Sequence, residues 1–207
     1  MMAWSNTIRS KKWVCQAKKT QPQQTKGKES ERHDAKSSLV FVRDVHQAYN
    51  DGQVDVFEKC LHEDVHCSFK GALMLRSYFV EQMRLCTKAF PDFNFTILHS
   101  RAKPSAMEDC WDIVCDLRVN GTHTGAPYCF DPYPPIAATG ISLKMDVERV
   151  TYTVSPRRRK SRSEVGSTRR SESKIDDEFE ILHMRVVPLG EFTGPVGMYT
   201  QLGGVIF

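Results

Sequence analysis

The side chains that could do chemistry in this 207-residue chain are its seven histidines, its seven cysteines and its scattered carboxylates. His62-Glu63-Asp64-Val65-His66 is a literal His-Glu-x-x-His. On a helix, that spacing puts two imidazoles on one face to bind zinc, with the glutamate as base. Here it straddles the end of a helical pattern and the start of an extended one. The rings are therefore not expected to share a face, no third ligand is evident, and a polar helix–strand turn is the simpler reading. The cysteines (15, 60, 67, 86, 110, 115, 129) form no Cys-x-x-Cys pair. They read as reduced thiols, several of them filling a core, rather than as a metal site. No glycine-rich phosphate loop and no Ser or Cys nucleophile phrase is present, so neither a metal nor a cofactor is expected.

Two histidines remain as candidate catalytic groups. His123 shares alternation parity with Trp111, Ile113, Cys115 and Leu117, and His183 shares it with Phe179 and Ile181. On strands with one buried face, that parity points both rings inward. An inward histidine serves as a general base near neutral pH, or equally as a hydrogen-bonded lining residue. Trp111, Phe79 and His66 are candidate ligand-binding residues, with core packing the alternative for the first two. Asp112, Asp116 and Arg118 fall on the opposite parity and read as a solvated sheet face or a dimer contact.

These residues must be placed by helices first and strands afterwards. Ser37 or Ser38 is a suitable N-cap, and Phe41, Val45, Ala48 and Tyr49 follow at helical spacing until Asn50-Asp51-Gly52. Val54–Leu61 predicts a second short helix, Val65–Phe69 a short strand, and Tyr78–Phe90 a third helix closed by Pro91. The period then changes to two. Phe93, Phe95 and Ile97 alternate with polar partners, as do Trp111 to Val119, and Val147–Val154 and Phe179–Val187 complete a four-strand meander. The expected class is α+β, with helices packed on one face of a curved, largely antiparallel sheet and a pocket at its open end.

Charge is distributed unevenly. Residues 1–38 carry a net +6 and residues 155–174 another +6, which leaves −8 on the rest of a chain whose total is +4. The body is acidic, which argues against a specific nucleic-acid-binding face. Residues 1–38 have too little apolar periodicity to offset their ordering entropy and are expected to be a disordered tail. Residues 155–174 are expected to be a disordered basic loop inserted between two strands. Its Arg158-Arg159-Lys160-Ser161 and Arg169-Arg170-Ser171 phrases look like targets of basophilic kinases. The N-terminus has no apolar leader, and no run approaches the ~18 apolar residues of a membrane span. With the thiol pattern, this predicts an intracellular protein, cytoplasmic first and organelle-imported second.

Seven phrases follow one another along the chain: Asn50-Asp51-Gly52, Glu63-Asp64-Val65, Phe90-Pro91-Asp92-Phe93, Gly121-Thr122-His123-Thr124-Gly125, Pro134-Pro135 with Thr139-Gly140, Ile181-Leu182-His183-Met184 and Gln201-Leu202-Gly203. In that order they resemble the SnoaL-like polyketide-cyclase branch of the nuclear transport factor 2-like superfamily. The resemblance spans roughly residues 39–204. It implies a cone-shaped sheet wrapped around helices, a cavity for a small apolar or aromatic ligand, and a homodimer formed through the outer sheet face. It also places Met184 at the family's Trp position, and so among the candidate ligand-binding residues.

The departures bear on activity. Pro188 aligns with the acidic residue expected to move protons in ring closure, and Arg185 replaces another common acid. Val45 and Phe69 align with the Tyr and Asp of the related steroid isomerases. Two functions stay open at this point. One is a cavity protein with cyclase- or isomerase-like proton transfer through His123 and His183. The other is a non-enzymatic dimeric interaction module regulated through the basic loop.

Overall fold

The computed structural model describes residues 34–157 and 178–206. The chain divides into two units, Met1–Arg32 and His33–Phe207. The expected N-terminal tail lies outside the described residues apart from its last few, and so does nearly all of the expected basic loop with its kinase-like phrases.

Helix α1 runs Ala35–Asn50 and begins earlier than Ser37 or Ser38 would set it. Asp34 is the N-cap, its carboxylate accepting from the Ser37 N–H at 2.6 Å, while Ser38 turns its hydroxyl back to the Asp34 carbonyl at 3.2 Å. Aspartate caps as well as serine does, and the preceding position was the better placed. Phe41, Val42, Val45, His46, Ala48 and Tyr49 form the buried stripe. Gly52, at φ +79°, ends the segment in a conformation glycine tolerates best.

Then come α2 (Val54–Cys60), β1 (Leu61–Phe69), β2 (Ala72–Met74) and α3 (Arg76–Ala89). Lys70 and Gly71 both take positive φ, which closes β1 and β2 into a tight hairpin. The His-Glu-x-x-His phrase lies wholly on β1 instead of straddling a helix end. Among the described residues, no group of three or more His, Cys, Asp or Glu is placed to hold a metal ion.

Strands β3 (Asn94–Pro104), β4 (Trp111–Asn120), β7 (Val147–Pro156) and β8 (Phe179–Pro188) form the expected meander, and α4 (Gly194–Gln201) follows it. Between β4 and β7 the Pro/Gly-rich loop contains a small hairpin of its own, β5 (Tyr128–Phe130) and β6 (Tyr133–Ile136). The main sheet has six strands in the order β2-β1-β8-β7-β4-β3, antiparallel except where β1 runs beside β8. Register shifts interrupt three of its strand pairings, and such bulges bend and twist a sheet. Helix α1 packs on β3 and β4, α3 packs on β1, and α2 touches β1 and β8. Tyr49 ties the layers together: it is buried against Phe57, Phe93 and Phe95, and its hydroxyl donates to the Met83 carbonyl at 2.9 Å. Cys60, Cys67, Cys86, Cys110 and Cys115 are buried, and Cys129 is half-buried. No helix among the described residues is long and apolar enough to cross a membrane.

Candidate functional site

The concave face of the sheet and the helices laid in it enclose a cavity of about 260 Å³. Alternation supplies its floor: Leu117 and Val119 from β4, Glu148, Val150 and Tyr152 from β7, and Met184 and Val186 from β8. Helix α3 gives Phe79, Gln82, Met83 and Cys86 at helical spacing, while α1 gives His46 and α2 gives Phe57. Phe69, Phe93, Phe95 and Phe130 add aromatic surface. Exposed members of the lining (Ala72, Tyr78 and Val196) mark an opening between β2, α3 and the first turn of α4.

Into this apolar space project a few polar groups, the pattern of a binding site that fixes one orientation of its ligand. Glu148 is 6% exposed. Its Oε1 accepts the Gly194 N–H, which ties β7 to the start of α4. Burial raises its carboxyl pKa above the ordinary value, against the opposing pull of the Gly194 N–H and the Lys70 charge. Four residues along the same strand, Tyr152 meets His46, with the Tyr hydroxyl and His Nε2 2.8 Å apart. The pair is buried, and the imidazole lies edge-on to both Phe95 and Tyr152. Burial lowers the His46 pKa to about 4, so the ring is neutral at neutral pH. Its Nδ1 is buried without a partner, and so is Oε1 of Gln82.

The residues expected from sequence divide between several places. Phe79 and Met184 line the cavity. His123 does not. It is fully buried beneath the β4–β7 loop, with Nδ1 3.3 Å from Thr139 Oγ1 and Nε2 3.3 Å from the Ala126 carbonyl, and its ring lies on Phe90. The alternation of β4 ends at Asn120, so parity no longer decides where residue 123 points. Nearby, Asp92 accepts from both the backbone N–H and the hydroxyl of Thr122. The Phe-Pro-Asp-Phe and Gly-Thr-His-Thr-Gly phrases thus meet in a clasp that holds the loop.

His183 also lies outside the cavity. The register passes from Val154↔Ile181 to Thr153↔His183, so Leu182 is an extra residue that reverses parity between Ile181 and His183. His183 therefore stacks on His66 at 5.1 Å on the outer sheet face, in a shallow depression with Asp112, Thr153 and Arg185. Trp111 sits at the end of β4 away from Leu117 and Val119. It packs against the core cluster without lining the cavity.

Glu148, Tyr152, His46 and Gln82 were missed, although each left a trace in the sequence. Glu148 and Tyr152 interleave with Val150 and Val154 on one strand face. His46 follows Val42 by four and precedes Tyr49 by three. Gln82 falls between Phe79 and Cys86 in one helical stripe. A polar residue set inside an apolar stripe is the common signal. Glu148 is directly paired with Pro188 across β7 and β8.

No protein-family profile and no curated protein matches the sequence. Solved structures do match. AclR from Streptomyces galilaeus, described as a candidate hydroxylase, superposes with a TM-score of 0.52 at 14% identity, over 82% of this chain and 83% of its own. A candidate SnoaL-like polyketide cyclase from Jannaschia sp. CCS1 gives 0.45 at 11% identity, over 78% and 90%. An NTF2-like protein of unknown function in nutrient uptake, from Rhodospirillum rubrum, gives 0.45 at 10%, over 72% and 96%. At these identities the likeness concerns the fold alone. The chain shares the fold of AclR, with helices laid in the concave face of a curved, mixed six-stranded sheet, and structures described as SnoaL-like and NTF2-like are among those it resembles.

Proposed function

We propose that the cavity binds a small, largely apolar molecule and moves a proton on it, with Glu148 as the acid/base group. The observation that carries this reading is a carboxyl only 6% exposed in a largely apolar cavity, where burial raises its pKa. A structural carboxylate is normally solvated or paired with a cation, whereas one held in apolar surroundings is the usual means of bringing an acid/base group toward working pH. One Glu148 oxygen is held by Gly194, which fixes the direction of the other. As carboxylate, that oxygen takes a proton from an activated carbon; as acid, it returns one. The His46–Tyr152 pair, neutral at neutral pH, donates a hydrogen bond to the oxygen on which charge accumulates.

The test is turnover of enolisable carbon acids, read as exchange of the acidic proton for deuterium. Glu148→Gln keeps the shape and the acceptor for Gly194 but cannot exchange a proton. Exchange is expected to fall about 10²–10⁴-fold with binding retained. Undiminished exchange in this variant removes Glu148 from the chemistry.

A second reading concerns the outer sheet face and is compatible with the first. Leu73 and Leu75 are 75% and 77% exposed at its β2 edge, and Val187 is 41% exposed on β8. Unpaired leucines of this kind suit a homodimer contact. Light scattering is expected to give twice the chain mass, and Leu73→Asp with Leu75→Asp is expected to return it to one. A wild-type chain that is monomeric at high concentration rules this contact out.

A further inference from the structure

The polar groups of the cavity restrict which molecule it can take, if the cavity is the ligand site proposed above. In the His46–Tyr152 pair a neutral imidazole brings one N–H and the phenol one O–H. Only one of these two hydrogens can lie between Nε2 and the hydroxyl oxygen. If Tyr152 donates, the imidazole hydrogen is on Nδ1, which is buried without a partner. If His46 donates, the phenol hydrogen is left over. Either tautomer leaves the pair one unused donor, so it asks for an acceptor oxygen on the ligand. Gln82 makes the opposite demand. Its buried Oε1 has no donor, a demand that a ligand hydroxyl meets.

Charge and size narrow the class further. Among the described residues no Lys or Arg lines the cavity, and the nearby Lys70 charge already faces the Glu148 carboxyl, so an anion entering the cavity loses its hydration and meets no cation in the lining. The volume of about 260 Å³ exceeds the roughly 150 Å³ of a cavity that holds benzene, and falls just short of the roughly 300–1,000 Å³ usual for drug-sized ligands. That is room for one or two rings and not for a four-ring skeleton. The rings would lie among Phe57, Phe79, Phe93 and Phe95.

We propose that the ligand is an uncharged one- or two-ring molecule with two oxygen functions, an acceptor bound by the His46–Tyr152 pair and a hydroxyl bound by Gln82. The geometry makes the two contacts separable. His46 and Tyr152 reach in from α1 and β7, and Gln82 reaches in from α3.

The test is a ligand-observed NMR titration of the full chain with hydroxytetralones and hydroxyacetophenones. It is run beside the same ketones without the hydroxyl, a hydroxybenzoate, an aminotetralin and a four-ring steroid. The hydroxyketones are expected to bind, and loss of the hydroxyl to weaken binding about tenfold. Gln82→Leu is expected to abolish that tenfold preference. The wild-type comparison of ligands stands even if the variant folds poorly. Tightest binding of the steroid, the carboxylate or the amine overturns this assignment while leaving the cavity as a ligand site. Equal binding of ketone and hydroxyketone also overturns it. Failure of every compound, the plain ketones included, overturns both this assignment and the cavity reading.

Discussion

Glu148 and His46 are both buried in the same cavity, yet they titrate in opposite senses, and the folded state records both. The Glu148 pKa is raised, so the folded chain holds its proton more tightly than the unfolded chain does. Stability therefore falls as pH rises from the ordinary carboxylate value through the raised one. Glu148→Gln removes that slope and is expected to be more stable than wild type at pH 7 to 8, as read by urea denaturation. A variant less stable at that pH would show that the carboxylate is held by compensating contacts. His46 behaves conversely. Its pKa is lowered from 6.5 to about 4, so stability is intact above pH 6.5 and is lost as pH falls toward 4, by up to ~3 kcal/mol. His46→Gln retains a partner for Tyr152 and is expected to flatten that acid limb. An unchanged limb would place the acid sensitivity elsewhere. Neither residue was singled out in the sequence. Their character comes from burial, which one chain of letters shows only as an interruption in an apolar stripe.

The elements themselves were largely legible. The helices, the short strand and the four-strand meander follow from period and punctuation, because apolar spacing is a local property. What failed was local in another way. One extra residue, Leu182, turned His183 from the concave to the outer face, and the end of β4 at Asn120 freed His123 from the strand's alternation. A bulge has no composition signal of its own, so parity read across it inverts. The mouth of the cavity is another such junction. Gly194 opens α4 at φ +60°, and a Cβ there would collide with the Phe69 ring, which lines the cavity. Gly194→Ala is expected to cost at least about 1–2 kcal/mol for the left-handed backbone alone. It should also push Phe69 and the Glu148 contact out of place. A thermal midpoint equal to wild type would show that the first turn of α4 rearranges freely.

At the scale of the whole molecule, the fold answers the charge division seen in the sequence. The acidic body is the folded α+β unit. Of the motif phrases that suggested its fold, two meet in the Asp92–Thr122 clasp that holds a loop, and only Phe93 and Met184 among their residues line the cavity. The likeness to other proteins therefore reports architecture, while the chemistry must be argued from Glu148, His46, Tyr152 and Gln82. Eight methionines offer a direct probe. Met74, Met83, Met184 and Met198 line the cavity, whereas Met145 is buried in the core outside the lining and Met107 is exposed. The decisive measurement is a methyl spectrum of ¹³C-methionine-labelled full chain, titrated with a hydroxytetralone. The expected result is saturable shifts of the four cavity methyls, with Met107 and Met145 unmoved. Shifts confined to Met107, or no shift from a folded protein, would contradict a ligand site in this cavity.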